Sequence, residues 1–304
     1  MTVLGLGSVP MNWEELKKMV DTLCFEEPEE YVFDALRAAI LEIKTRIDIS
    51  QFSTVAADNN LYSNRYSNAL PYDYNRVTDP DNQQWYYNAS HIQLSDEKSY
   101  IAAQGPQDAD RFLEMLEIKK IATVVNLTMA REAKREKCYN YWENDTIYTL
   151  YTNDKKTCWG VQKIQEEVVL TEPELQKERL VERTFVVRYE DGSQREIKQF
   201  HYEHWPDQCA PSLSLLKELL TRVRDATISQ TAPIVVHCSA GLGRTGVFIA
   251  GMHLMETMRG DENVDIRKKV FHVVKDLRLQ RMGMVTSKSQ FEILVSLGEE
   301  LASA

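Results

Sequence analysis

The ten residues HCSAGLGRTG, His237 to Gly246, combine a thiol, two flexible glycines and a guanidinium at spacings suited to phosphoryl chemistry. They follow PIVVH, Pro233 to His237, which reads as a short buried strand, and run into RTGVFIAGMHLMETM, a helical pattern starting near Arg244. Strand, glycine loop and helix together make an anion cradle. Gly241 and Gly243 permit backbone angles that turn successive N–H groups inward, and the helix N-terminus adds the positive end of its dipole. The loop from Ser239 through Ala240, Gly241, Leu242 and Gly243 is therefore expected to hold the oxygens of a bound phosphate. A nucleotide-binding GxxxxGK[ST] loop uses the same device, but here no Lys follows the second Gly and a Cys stands at the base.

Cys238, beneath that ring of amides and six residues before Arg244, is in the electropositive kind of setting in which reactive cysteines are found. It is the expected nucleophile. Its attack on a bound phosphoryl group would give a phosphocysteine, while Arg244 grips two equatorial oxygens and follows them through the transition state. Thr245 is placed to hydrogen-bond the sulfur and help it leave in a second step. A lone Cys in a glycine-rich turn is ordinarily a small buried hydrophobe. For this composition, however, a chance His-Cys with Gly three later and Arg six later has a probability of about two in ten thousand. A cysteine protease would need a distant His to activate the thiol, whereas His237 is adjacent in sequence.

The elements that must position this loop are legible in outline. Asn12 before WEELKKMVDTL and the pattern from Pro28 to Ile47 predict two opening helices. From about Gln51 to Gln84, Asn, Tyr, Ser, Asp and Pro dominate without periodicity, which predicts a long ordered or functional loop. Trp85 to Ala103 and Thr123 to His204 carry β-branched and aromatic runs broken by turns at Asn144-Asp145 and Glu190-Asp191-Gly192. Ser212 to Ile228 and the segments after Arg244 read as helices, with breaks at Gly260-Asp261 and Arg281-Met282-Gly283. The fold class is α/β, a mixed sheet flanked by helices.

The chain has 304 residues, 43% hydrophobic and 27% charged, enough for one large domain with an appendage. Its formal net charge of -10 disfavours nucleic acid and anionic membrane surfaces as partners. Cys24, Cys138, Cys158, Cys209 and Cys238 are scattered without a CxxC pair, so neither a disulfide framework nor a zinc site is expected. No stretch approaches the ~20 apolar residues of a membrane span and no secretory leader is evident, so a cytoplasmic protein with reduced thiols is expected.

HCSAGLGRTG resembles the HCxxGxxR[ST]G signature of the cysteine-based protein tyrosine phosphatases. HYEHWPDQCAP, His201 to Pro211, resembles that family's mobile WPD loop. The order NRY (Asn64 to Tyr66), YYNAS (Tyr86 to Ser90), YIAAQGP (Tyr100 to Pro106), KCYNYW (Lys137 to Trp142) and QRMG (Gln280 to Gly283) resembles the tyrosine-specific, non-receptor branch. The resemblance implies a highly twisted mixed sheet and a catalytic domain over 26–304 behind an N-terminal helical extension, 1–25. It also implies hydrolysis of phosphotyrosine in signalling proteins by a monomer without metal or cofactor. Asp207 becomes the general acid and then the base, framed by Trp205. The chemistry asks for such a group in any case, because a phenolate of pKa ~10 leaves only with a proton. Tyr66 takes the role of the ring that stacks on phosphotyrosine and deepens the pocket against phosphoserine. Glu132 matches an acid that orients the signature Arg, His237 supports the loop, and Asn68 and Gln290 are expected to contact substrate.

Several positions depart from the family pattern. Asn68 replaces an Asp that holds the peptide backbone, Ser67 stands where some members carry Arg, and Gln208-Cys209 replace Phe-Gly. The VQTxxQ pattern appears as VTSKSQ, so Thr286 replaces the first Gln and Gln290 is the second. In the family that first Gln positions the hydrolytic water, so either the second chemical step is expected to limit turnover here or Gln290 takes over that role. The alternatives are a dual-specificity phosphatase, or a phosphotyrosine-binding module with weak turnover.

Overall fold

The computed structural model describes residues 32–303, apart from 47–48, 96–97, 130, 133–134, 143–145, 153–154, 172–177, 189–193 and 259–263. The expected helix after Asn12 and the turns at Asn144-Asp145, 190–192 and 260–261 lie outside the described residues. Among the described residues the organising element is an eight-stranded sheet. Its strands are β1 (Ala89–Gln93), β2 (Ser99–Ala103), β3 (Thr123–Asn126), β6 (Thr146–Thr152), β7 (Lys155–Thr171), β8 (Arg179–Arg188), β9 (Gln194–Glu203) and β10 (Ile234–His237). A separate two-stranded ribbon pairs β4 (Arg131–Glu132) with β5 (Arg135–Glu136).

The spatial order is β1-β2-β10-β3-β9-β8-β7-β6. The central four, β2, β10, β3 and β9, run parallel, and the outer pairings are antiparallel. β10 is buried along its whole length. A strand with covered faces reads as a continuous apolar run, which is why PIVVH carries no alternation. Ile234 and Val236 join one core with Val247, Phe248 and Leu254, whereas Val235 joins a second core with Phe112 and Val124.

Helices cover both faces. α1 (Val32–Arg46), α4 (Leu213–Ala226), α5 (Gly243–Thr257), α6 (Ile266–Gln280) and α7 (Lys288–Ala302) pack on the first core, and α3 (Asp110–Ile118) on the second. Side chains of Ser212, Asp265 and Ser287 accept the orphan amides of Leu215, Lys268 and Gln290, which starts α4, α6 and α7 where they start. α6 ends at Arg281, as the break there predicted.

Two regions differ from the sequence reading. The stretch from Gln51 to Gln84 is not one loop: it holds a short helix, α2 (Val55–Asp58), between 3₁₀ turns at Ile49–Phe52 and Leu61–Ser63. Asp73 draws that turn together by accepting the amides of Val55 and Ala56. α3 lies between the two strand regions, and its Phe112, Leu113, Met115 and Leu116 are fully buried. Its nine residues hold too few turns for periodicity to register.

Parallel strands deliver their following loops to one edge, where α/β proteins bind ligands. The segments after β2, β3, β9 and β10 are Gln104–Pro106, Leu127–Thr128, His204–Pro211 and Cys238–Leu242. These four segments build the site.

Candidate active site

The loop after β10 has its carbonyls taken up by other groups. The oxygen of Ser239 accepts Gly105 N at 2.9 Å, and that of Leu242 accepts Gly246 N at 2.8 Å. Those of Ala240 and Gly241 accept Arg281 Nη2 at 3.1 Å and Nε at 2.9 Å. No described group takes the amides from Ser239 to Gly243. α5 begins directly at Gly243 without a side-chain cap, so no capping side chain takes its first N–H groups. Gly241 is held at φ +69°, and a Cβ there would lie 2.2 Å from the carbonyl oxygen of Ala103. Only glycine fits.

Cys238 opens this loop and is 4% exposed. Thr245 is fully buried on the first turn of α5, and its hydroxyl has no described partner. His237 is fully buried, with Nε2 2.8 Å from the Tyr141 hydroxyl, and burial lowers its pKa to about 3.

Arg244 is 1% exposed and ties two loops together. Its Nη1 donates to Leu127 O at 3.0 Å and to Trp205 O at 3.1 Å, while Nη2 donates to Asp207 Oδ1 at 3.0 Å. The second Asp207 oxygen accepts Lys137 Nζ at 3.2 Å. Partial burial raises the pKa of Asp207, but the charge and hydrogen bond of Arg244 and then those of Lys137 outweigh it and hold the carboxyl below its usual value. Trp205 anchors the loop: it is fully buried against Tyr202, and its indole donates to Cys209 O at 3.0 Å. Gln208 stands at φ +57°, where Gly would be at ease, and its carbonyl accepts Ser289 Oγ at 3.3 Å.

Of the other sequence-derived candidates, Tyr66 meets the cradle, its hydroxyl 2.8 Å from Ser239 Oγ. Asn68 is exposed two residues on. Gln290 is buried against the start of α5, and its Oε1 accepts both Thr286 N at 2.9 Å and Thr286 Oγ1 at 3.1 Å. The residue replacing the family's first Gln therefore occupies the acceptor of the second. Glu132 lies on β4, and its side chain is outside what is described.

Sequence reasoning gave no role to three residues the site depends on. Arg281 is fully buried; besides the two loop carbonyls it reaches Asn88 Oδ1 at 2.6 Å and Ser90 Oγ at 3.1 Å. Lys137 holds Asp207, and Arg65 fixes Tyr66 by donating to the carbonyls of Gly105, Pro106 and Glu136. Their signal was present only as short matching segments, since each partner is 40 or more residues away.

Residues 60–298 match the family model described as protein-tyrosine phosphatase. The rat receptor-type tyrosine-protein phosphatase C is 33% identical over 77% of this chain, and its human counterpart 35% identical over the same share. The chain spans 18% of the length of those relatives. Among solved structures, a Trypanosoma cruzi protein tyrosine phosphatase, TcPTP1, is similar at TM-score 0.73 and 27% identity, covering 92% of this chain and 94% of that one. PTPN18 in complex with HER2 phosphopeptides is similar at TM-score 0.73 and 25% identity, covering 89% and 98%. With four-fifths of its length under one family model and 33% identity to a curated member over 77% of the chain, the chain belongs to the protein-tyrosine phosphatase family.

Proposed function

We propose that this chain hydrolyses phosphotyrosine in proteins through a phosphocysteine on Cys238. The observation that carries the reading is the loop itself: its carbonyls are taken up by other groups, no described group takes its amides, and Cys238 and Arg244 are both buried in it. Such an array is complementary to a phosphoryl dianion and to the equatorial oxygens of its transition state.

In the first step the Cys238 sulfur attacks phosphorus and the tyrosine oxygen leaves with a proton from Asp207. Asp207 is an ion partner of Arg244. A bound phosphate claims Arg244 for itself and places negative charge beside the carboxylate. Both changes raise the Asp207 pKa and give it the proton it must donate. In the second step the carboxylate takes a proton from water as that water attacks the phosphocysteine, and Thr245 donates to the departing sulfur. Tyr66 forms a wall of the pocket, so depth selects the longer phosphotyrosine over phosphoserine, and PTPN18, a structural neighbour, is itself solved with phosphopeptides.

Thr286 makes the second step the slow one, because it engages the oxygen of Gln290 that would otherwise accept from the attacking water. We take residues 26–304 as the catalytic domain: α1, ahead of the matched segment, places Leu36 in the main core and Ile43 beside Tyr72 and Leu279. No helix of the described residues is long and apolar enough to cross a membrane. Rapid mixing with a phosphotyrosine peptide tests the reading. It is expected to release a burst of dephosphorylated product close to the enzyme concentration, then a slower steady rate. Equal rates on phosphoserine peptides, or product without Cys238, would overturn it.

A further inference from the structure

Behind the cradle, a chain of buried polar side chains runs from β8 to His237, and its hydrogen bonds can point only one way. It starts at Arg183, which is 5% exposed. A guanidinium has five N–H donors and no acceptor. Arg183 Nη1 lies 3.1 Å from Gln199 Oε1 and 2.7 Å from His201 Nδ1, Nη2 donates to Glu203 Oε1 at 2.8 Å, and Nε meets Glu166.

Because Arg183 can only donate, Gln199 must offer it the carboxamide oxygen, which turns the Gln199 NH₂ toward Tyr141. The Tyr141 oxygen accepts that donor at 2.8 Å. Its one proton is then left for His237 Nε2, 2.8 Å away. The His237 ring is neutral, burial holding its pKa to about 3, so with Nε2 accepting, its hydrogen sits on Nδ1. Nδ1 makes no full hydrogen bond and lies under the influence of the Cys238 backbone. The same logic makes His201 Nδ1 an acceptor and gives its Nε2–H to Thr128 O at 2.8 Å.

We propose that Arg183 and Gln199 are positioning residues that, through Tyr141, fix His237 as its Nδ1–H tautomer and so hold the residue next to it, Cys238, in register with the cradle. A purely structural network would also be buried and bonded, but it would not dictate a tautomer. The direction follows from one donor-only residue on another strand.

The test is the ¹⁵N imidazole spectrum of His237, which separates the two tautomers directly, in the wild type and in Gln199→Glu. A carboxylate at that position accepts from Arg183 and also from Tyr141, so Tyr141 must accept from His237 and the hydrogen moves to Nε2. The expected results are Nδ1–H in the wild type, Nε2–H in Gln199→Glu, and a kcat on phosphotyrosine peptide lower by about ten- to hundredfold with KM little changed. Arg183→Lys, still donor-only, is expected to keep the wild-type tautomer. Nε2–H in the wild type overturns the proposal even if no variant folds. So does an unchanged tautomer in folded Gln199→Glu, or a switched tautomer with kcat unchanged. The kinetic arm rests on the proposed hydrolysis at Cys238, whereas the spectrum does not, so failure of that activity and failure of the relay read out separately.

Discussion

The two halves of the site are built on opposite plans. The loop from Cys238 to Thr245 is almost wholly buried, the carbonyls of Ser239 to Leu242 are each hydrogen-bonded, and its own Arg244 and the adjoining Arg281 are no more than 1% exposed. The loop from Trp205 to Cys209 is anchored by one buried ring, while Asp207 is 49% exposed and held by two side-chain partners. On the function proposed above, binding falls to the buried, bonded backbone and proton transfer to the half-exposed side chain. Damage to the first plan should cost stability and binding together. Damage to the second should cost the chemical step alone.

The largest effect is expected at Gly241→Ala. The new Cβ would lie 2.2 Å from Ala103 O in a backbone conformation at φ +69°, with no flexible neighbour to yield. Hydrolysis should vanish and the melting temperature should fall; a variant with wild-type kinetics would break the claim of a fixed cradle. Arg281→Met comes next. It strands the Ala240 and Gly241 carbonyls and the Asn88 amide oxygen, a loss of about 2–4 kcal/mol by denaturant melts, with a raised KM for phosphopeptide.

Asp207→Ala belongs to the other plan. It should lower kcat by about 10²–10⁴ while KM and melting temperature barely change, which steady-state kinetics beside a thermal melt will show. The smallest effect is expected at Lys137→Met. Lys137 helps hold the Asp207 pKa down, so its removal lets that pKa rise. The acid then stays protonated to higher pH, and the basic limb of the kcat/KM profile should move up rather than down.

The same contrast explains what could be read from sequence. The cradle was legible because strand, glycines, Cys and Arg are contiguous and their spacing states the chemistry. Asp207 was legible as an acid only through the resemblance of its loop, since a Trp-Pro-Asp turn has bland uses as well. Arg281 and Lys137 were not legible: they act on groups 40 and 70 residues away, and only the sheet order that places β10 between β2 and β3 brings such segments together. The main helices and β10 followed from periodicity and apolar runs. α3 and the short turns between Ile49 and Ser63 did not, because each is too short to repeat a pattern and is fixed by tertiary contacts.

The most direct test of the central claim is to quench the enzyme in acid within milliseconds of mixing it with a phosphotyrosine peptide and map the phosphate by mass spectrometry. Phosphate on Cys238, accumulating in the wild type, retained longer in Asp207→Ala and missing in Cys238→Ser, is the predicted result. Phosphate on any other residue, or hydrolysis that survives Cys238→Ser, would contradict the account.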